Sequence, residues 1–212
     1  MIKVTEIETW GFEHALRGMR NPKNSWDKSD SRYEDDEWGR QHFCIGENDL
    51  RLARTLCAAG TEHRKYMRQI FISMDITAPL YWWKEFDTYK VGTVANSTST
   101  MHKLHAKPFS REDFSCERMT EEALTLLDEV IRFLELRRQV FLETKDLRLW
   151  DDMIQLLPSS YNQLRTVTMN YENAAGMIRQ RENHKLPEWR EFVGVLLDLP
   201  YMREILEGEN EA

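Results

Sequence analysis

The side chains best suited to chemistry in this 212-residue chain gather towards its C-terminal end. The stretch 157–190, LPSSYNQLRTVTMNYENAAGMIRQRENHKLPEWR, mixes apolar periodicity with Asn170, Arg181, His184, Glu188 and Arg190. This group resists a purely structural reading better than the others do. Arg181 also has a plainer reading, because a cation after an amphipathic helix complements the helix dipole. A second group is Tyr81-Trp82-Trp83-Lys84 with Tyr89-Lys90. It reads either as an aromatic wall for a flat ring with a lysine near a phosphate, or as a core face of Leu80, Trp83 and Phe86 with solvated lysines. His102 and His105 lie three apart, and His184 and Glu188 four apart. Zinc catalysis usually needs three protein ligands and Pro187 interrupts the second pair, so no metal centre is expected. The Gly-rich phosphate loops and the GxSxG elbow are absent.

These groups need elements to position them. Ile70, Ile72, Met74 and Ile76 alternate with Phe71, Ser73, Asp75 and Thr77, which predicts a strand ended by Ala78-Pro79. Pro79 suits the first turn of a helix over Leu80 to about Tyr89. Further helices are expected at Asn48–Ala59, at Thr120 to about Thr144, at Asp146–Leu156, at Glu172–Gln180 and at Pro187–Leu197. A second strand is expected at 164–170, and Ile2–Trp10 alternates weakly enough to suit an edge strand. Gly92–Thr100 (GTVANSTST) reads as turn-forming, and about 20–40 as a long polar surface loop on which Trp26, Tyr33 and Trp38 are unusual. Long helices with few strands give an α+β or open-sheet α/β class.

Composition bounds the rest. Lys and Arg number 29 and Asp and Glu 36, a net charge of −7 that disfavours nucleic acid as a partner. The length suits one domain over 1–212. No apolar run approaches the roughly 20 residues of a membrane helix, and the first residues lack the apolar core of a secretory signal. Cys44, Cys57 and Cys116 are odd in number, widely spaced and without CxxC pairing. A disulfide framework is therefore not expected, and a reducing cytoplasm is.

The order of strand, Ala78-Pro79, aromatic helix, short polar motif, Leu157-Pro158, then Asn170, Arg181 and His184-x3-Glu188-x-Arg190 resembles the flavin-dependent thymidylate synthases. The likeness in layout runs over roughly 60–201, with a fainter echo in Ala15-Leu16-Arg17. The family signature R-H-R-x2-S-x-N-x2-S-x-R falls on Thr88-Tyr89-Lys90, Thr93, Asn96 (one residue late), Ser99 and Met101. Asn170 lies thirteen residues after Leu157 and Arg181 eleven after Asn170, as in the family, and the family's His-Ala-Gln-x-Glu-Ile-Arg is mirrored by His184–Arg190, displaced by one.

This resemblance implies a small, mostly antiparallel or mixed sheet packed with long helices. It implies FAD as cofactor, dUMP or a related pyrimidine nucleotide as substrate, methylenetetrahydrofolate as carbon donor and NADPH as reductant. It also implies a homotetramer whose sites are built from several subunits, and a reaction in which no cysteine attacks the ring. Carried over position by position, Arg181 is the expected catalytic residue and touches substrate with Glu85, Lys90 and Ser99. Thr88, Tyr89, Lys90, Asn96 and Asn170 are expected at the flavin. The chain also departs from the family. Thr88 and Lys90 replace arginines, Met101 and Ile154 stand where phosphate-binding arginines are expected, Glu85 replaces a Gln, and Gly176 replaces an Asn. Lys90, His102, Lys103 and Arg165 are candidate substitutes for the missing cations. The same fold with the flavin chemistry lost, kept as a nucleotide-binding or interaction protein, is the alternative.

Overall fold

The computed structural model describes residues 2–207. Its elements run β1 (Lys3–Trp10), α1 (Phe12–Arg20), β2 (Arg32–Asp35), β3 (Gln41–Cys44), α2 (Glu47–Ala58), β4 (Phe71–Pro79) and α3 (Leu80–Phe86). They continue with β5 (Val94–Ser97), α4 (Glu121–Thr144), α5 (Leu147–Gln155), β6 (Asn162–Asn170), α6 (Tyr171–Arg181), α7 (Pro187–Leu197) and α8 (Met202–Glu207). The class is the expected mixture of helices with a small antiparallel sheet. Four strands line up as β1-β4-β6-β5, which makes β1 the edge strand that its weak alternation suggests, while β2 and β3 form a separate antiparallel hairpin.

The chain divides into two compact units, one of 2–5, 75–90 and 95–167 and the other of 6–74, 91–94 and 168–207. In the first unit α4 spans 24 residues. Thr120 caps it by accepting from the Ala123 N–H at 3.4 Å, and Glu121 and Glu122 in its first turn complement the dipole. Leu127, Leu134 and Phe141, spaced by sevens, bury one stripe against Leu104, Phe109, Phe114 and Met153. Along α3, Trp82, Trp83 and Phe86 are at most 2% exposed. These rings are therefore core and not a wall for a ligand. The Trp83 indole N–H reaches the Gln163 carbonyl at 3.0 Å, as a buried polar group must.

In the second unit α1 starts after Gly11, whose φ of 93° lies in the left-handed region. A Cβ there would strike the carbonyl oxygen of Gln69, so only glycine fits. The buried faces of α6 (Tyr171, Ala174, Ala175, Met177, Ile178) and of α7 (Trp189, Phe192, Val193, Leu196) complete this core.

Several elements depart from the expectation, with β3 and α8 falling where none was expected. Helix α1 carries Phe12, Ala15, Leu16 and Met19 at helical spacing and buries all four. The polar stretch about 20–40 holds two 3-10 turns (Asn21–Lys23, Trp26–Lys28) and strand β2, fixed by side-chain hydrogen bonds more than by apolar burial. Strand β5 falls in the stretch read as turn-forming. All four of its residues are exposed, so no alternation marks it, and the Thr98 N–H just beyond it bonds the Leu164 carbonyl at 2.9 Å.

Candidate functional site: a cationic cleft

Within the second unit, the segment after α1, the exposed side of α2 and residues 62–69 enclose a cleft of about 1290 Å³. Six Lys and Arg line it (Arg20, Lys23, Lys28, Arg51, Lys65, Arg68) against one carboxylate, Glu62. In a chain of net charge −7 this concentrates positive potential in one place.

The cleft wall is held by a buried ion pair. Arg20 Nε donates to Asp49 Oδ1 at 2.5 Å, and the two side chains are 5% and 0% exposed. Asp49 Oδ2 accepts from Ser29 Oγ at 2.6 Å, from Ser31 Oγ at 2.5 Å and from the Ser31 N–H at 3.2 Å. Burial pushes the Asp49 carboxyl up, but the hydroxyls of Ser29 and Ser31 and the Arg20 guanidinium outweigh it and hold the group below its ordinary value. Asp30 caps α2 by accepting from the N–H groups of Asn48 (2.9 Å) and Asp49 (3.1 Å). The Ser-Asp-Ser run thus fixes both a helix start and a carboxylate.

Arg20 keeps one donor over. Its Nη1 donates to the Ser25 carbonyl at 3.3 Å, whereas its buried Nη2 has no hydrogen-bond partner among the described residues. A buried guanidinium N–H without an acceptor costs about 1–3 kcal/mol, more for a charged group. Lys23, Lys28 and Lys65 have no acidic partner among the described residues, and Arg51 meets the amide oxygen of Asn48 at 2.6 Å. Arg68 is held differently: it pairs with Glu172, which also takes Arg64 at 3.3 Å. Burial raises the Glu172 carboxyl, and Arg68 and Arg64 more than reverse this and lower it.

The residues singled out in the sequence lie as follows. In the first unit Thr88 Oγ1 donates to the Glu85 carbonyl at 2.7 Å, which ties those two together, and Tyr89 sits with its ring 6.4 Å from that of Phe86. Lys90 and Asn96 are exposed. Ser99 is exposed too, and its hydroxyl accepts from the N–H groups of Met101 (3.3 Å) and His102 (2.8 Å), so it stabilises its own turn. Arg165, a candidate replacement cation, is engaged: its guanidinium lies 4.2 Å from the Trp83 ring centroid and donates to Asp87 Oδ1 at 2.7 Å.

In the second unit Asn170 caps α6 in a reciprocal pair with Asn173 (3.0 and 3.3 Å), and Asn173 Nδ2 donates to the Val91 carbonyl at 2.8 Å. Gly92, at φ 76°, lies against these amides, and a Cβ there would sit 2.8 Å from Asn173 Oδ1. Arg181 ends the same 11-residue helix with its guanidinium 4.7 Å from the Trp189 ring centroid. At 1.5 Å per residue the two ends of α6 are about 15 Å apart, so Asn170 and Arg181 stand at opposite ends of the helix. Imidazole roles are modest: His184 Nδ1 accepts from the Leu186 N–H at 3.2 Å, and the His105 ring packs on Phe141 at 5.1 Å.

The cleft itself was not read from the sequence. Its one signal was the run Arg17, Arg20, Lys23, Lys28, a basic stretch ahead of the acidic Glu34-Asp35-Asp36-Glu37 in an acidic chain.

No protein-family model matches the chain, and no curated protein does. Solved structures do. The chain shares 15% sequence identity with a thymidylate synthase X (ThyX) from Helicobacter pylori, solved with FAD and dUMP, at a TM-score of 0.71 over 99% of both chains. A second structure of the flavin-dependent thymidylate synthase ThyX from Helicobacter pylori, complexed with FAD and dUMP, gives 16% identity and a TM-score of 0.66, covering 95% of this chain and 97% of that one. The fold is therefore that of the flavin-dependent thymidylate synthases, in a divergent sequence. Among the described residues no helix is long and apolar enough to cross a membrane.

Proposed function

We propose that this protein binds FAD and a pyrimidine nucleotide and reductively methylates dUMP, or a close relative of it, with methylenetetrahydrofolate and NADPH as co-substrates, as a cytoplasmic homotetramer. The observation that carries this reading is the cleft of the second unit, lined by six cations against one carboxylate. A flavin dinucleotide carries two phosphate charges, and the residues present fit it: Lys23, Lys28, Arg51 and Lys65 offer charge on the cleft lining. When bound, FAD supplies the hydride and relays the one-carbon unit. The chain's own part is to bind, orient and polarise. Asn170, locked by Asn173, presents a rigid amide beside the 91–94 segment for the flavin, and Thr88, Tyr89, Lys90 and Asn96 are its further proposed contacts. Arg181, stacked on Trp189, offers a guanidinium in a fixed plane for the uracil carbonyl and is the proposed catalytic group. Lys90, Ser99 and Glu85 complete the nucleotide contacts. The separation of Asn170 from Arg181 along α6 favours sites that combine residues of different subunits.

A second reading is favoured by specific observations. Ser99 spends its hydroxyl on its own turn, Arg165 is held by Asp87 and Trp83, and Met101 offers no charge. Such a chain would bind nucleotide without turnover. Anaerobic assay of the purified protein separates the two. Oxidation of NADPH that depends on dUMP and methylenetetrahydrofolate supports the enzyme. A flavin-containing protein inert in that assay supports the binding protein, and a protein that takes up neither FAD nor dUMP refutes both.

A further inference from the structure

Across the β2–β3 hairpin Glu34 is paired with His42 and Arg32 with Cys44 in antiparallel register. Residues opposite one another share a face of the ladder, as do residues two apart on one strand, so Glu34, His42 and Cys44 stand on one face. Tyr33 and Phe43 take the other and meet edge to face at 5.3 Å. The imidazole nitrogen, thiol sulfur and carboxylate oxygen of the three residues all lie within 4.8 Å of one another. Cys44 is a free thiol, half-buried, and its Sγ contacts Glu34 Oε2 at 3.5 Å. Arg32 holds Glu34 Oε1 at 2.5 Å, which orients the carboxylate and leaves Oε2 on the thiol side.

We propose that Glu34, His42 and Cys44 form a binding site for a zinc ion. One sulfur, one nitrogen and one oxygen ligand make a donor set suited to a borderline-soft dication, and three protein ligands leave a fourth tetrahedral position for water. Closing donors now within 4.8 Å onto a single ion needs only side-chain rotation on an exposed hairpin. On binding, the ion takes the place of the Cys44 thiol proton, which leaves to solvent; nothing is oxidised or reduced. The pairs His102/His105 and His184/Glu188 that spacing alone draws attention to are not part of this site; here Glu34 lies 8 and 10 residues before His42 and Cys44, joined to them by a strand register that composition does not reveal.

The test uses the full-length, tag-free, reduced protein, stripped of metal and titrated with Co2+ as a spectroscopic probe and then with Zn2+. One equivalent of Co2+ should bind with the strong visible absorption of a tetrahedral site and a thiolate-to-cobalt charge-transfer band, and Zn2+ should displace it. Cys44→Ser should remove the charge-transfer band. His42→Ala should weaken Zn2+ binding by about 100-fold or more, since loss of even a group that merely orients a ligand costs 10–100-fold. Cys116→Ser should change neither. In the wild-type protein, Zn2+ should also shield Cys44 from alkylation, a readout that needs no variant to fold. Sub-stoichiometric binding, a Co2+ spectrum without the thiolate band, unchanged binding in Cys44→Ser and His42→Ala, or unaltered alkylation of Cys44 would each overturn the proposal. FAD binding does not enter any of these readouts.

Discussion

Taking Arg20 and Asp49 out of water is costly for both ions, and only their mutual attraction with the Ser29 and Ser31 hydroxyls offsets it. Breaking such a pair from one side leaves a buried charge. Asp49→Ala should therefore destabilise the protein by about 3–5 kcal/mol, measured by urea unfolding, with Ser31→Ala well below that. Equal, small effects of both substitutions would mean that the pair is not buried in solution. The pair also fixes the guanidinium, with the Ser25 carbonyl accepting from Nη1, so Arg20 holds the cleft wall in place. Lys28 and Lys65 act differently, as exposed point charges worth up to about 1 kcal/mol each. Alanine at either one should raise the Kd for FAD about 2–5-fold, and that loss should shrink as salt is added.

Two helices invite tests of their own. Asn170→Ala removes the cap of α6 and should cost about 1 kcal/mol, read as a fall in Tm of a few degrees, while Asn170→Asp keeps an acceptor and should recover most of it. On α4, Arg138 holds the Glu135 carboxyl at about 2, helped by the Phe109 N–H and Gln139 against the opposing effect of burial. A carboxyl depressed in the folded state stabilises above its ordinary value of 4.5, and that contribution is lost as pH falls towards 2. Glu135→Gln should flatten the fall in stability over that window and lower stability at neutral pH; an unchanged acid profile would contradict the pairing. The helices were also the most legible part of the sequence. The bounds expected for α4 and α7 agree with those found to within a residue, because an apolar stripe, a Thr cap and a Pro start are local signals. The hairpin and β5 were not legible. The first is fixed by Asp30, Ser29 and Ser31 reaching residues some 20 positions away, and the second is exposed throughout. The cationic cleft escaped for the same reason, since its charges come from three separate segments.

For the molecule as a whole, the resemblance in layout led to a fold that matches solved thymidylate synthases along nearly the entire chain at 15% identity. The cleft of the second unit is the proposed place where an anionic dinucleotide is held. Equilibrium titration with FAD, followed by quenching of flavin fluorescence, tests it most directly when the wild type is set beside a variant with Lys28, Arg51 and Lys65 all changed to Ala. About one FAD per chain should bind to the wild type, and the variant should bind at least 10-fold more weakly with an unchanged Tm. Equal affinity in the two proteins, or no binding to the wild type at saturating FAD, would contradict the account.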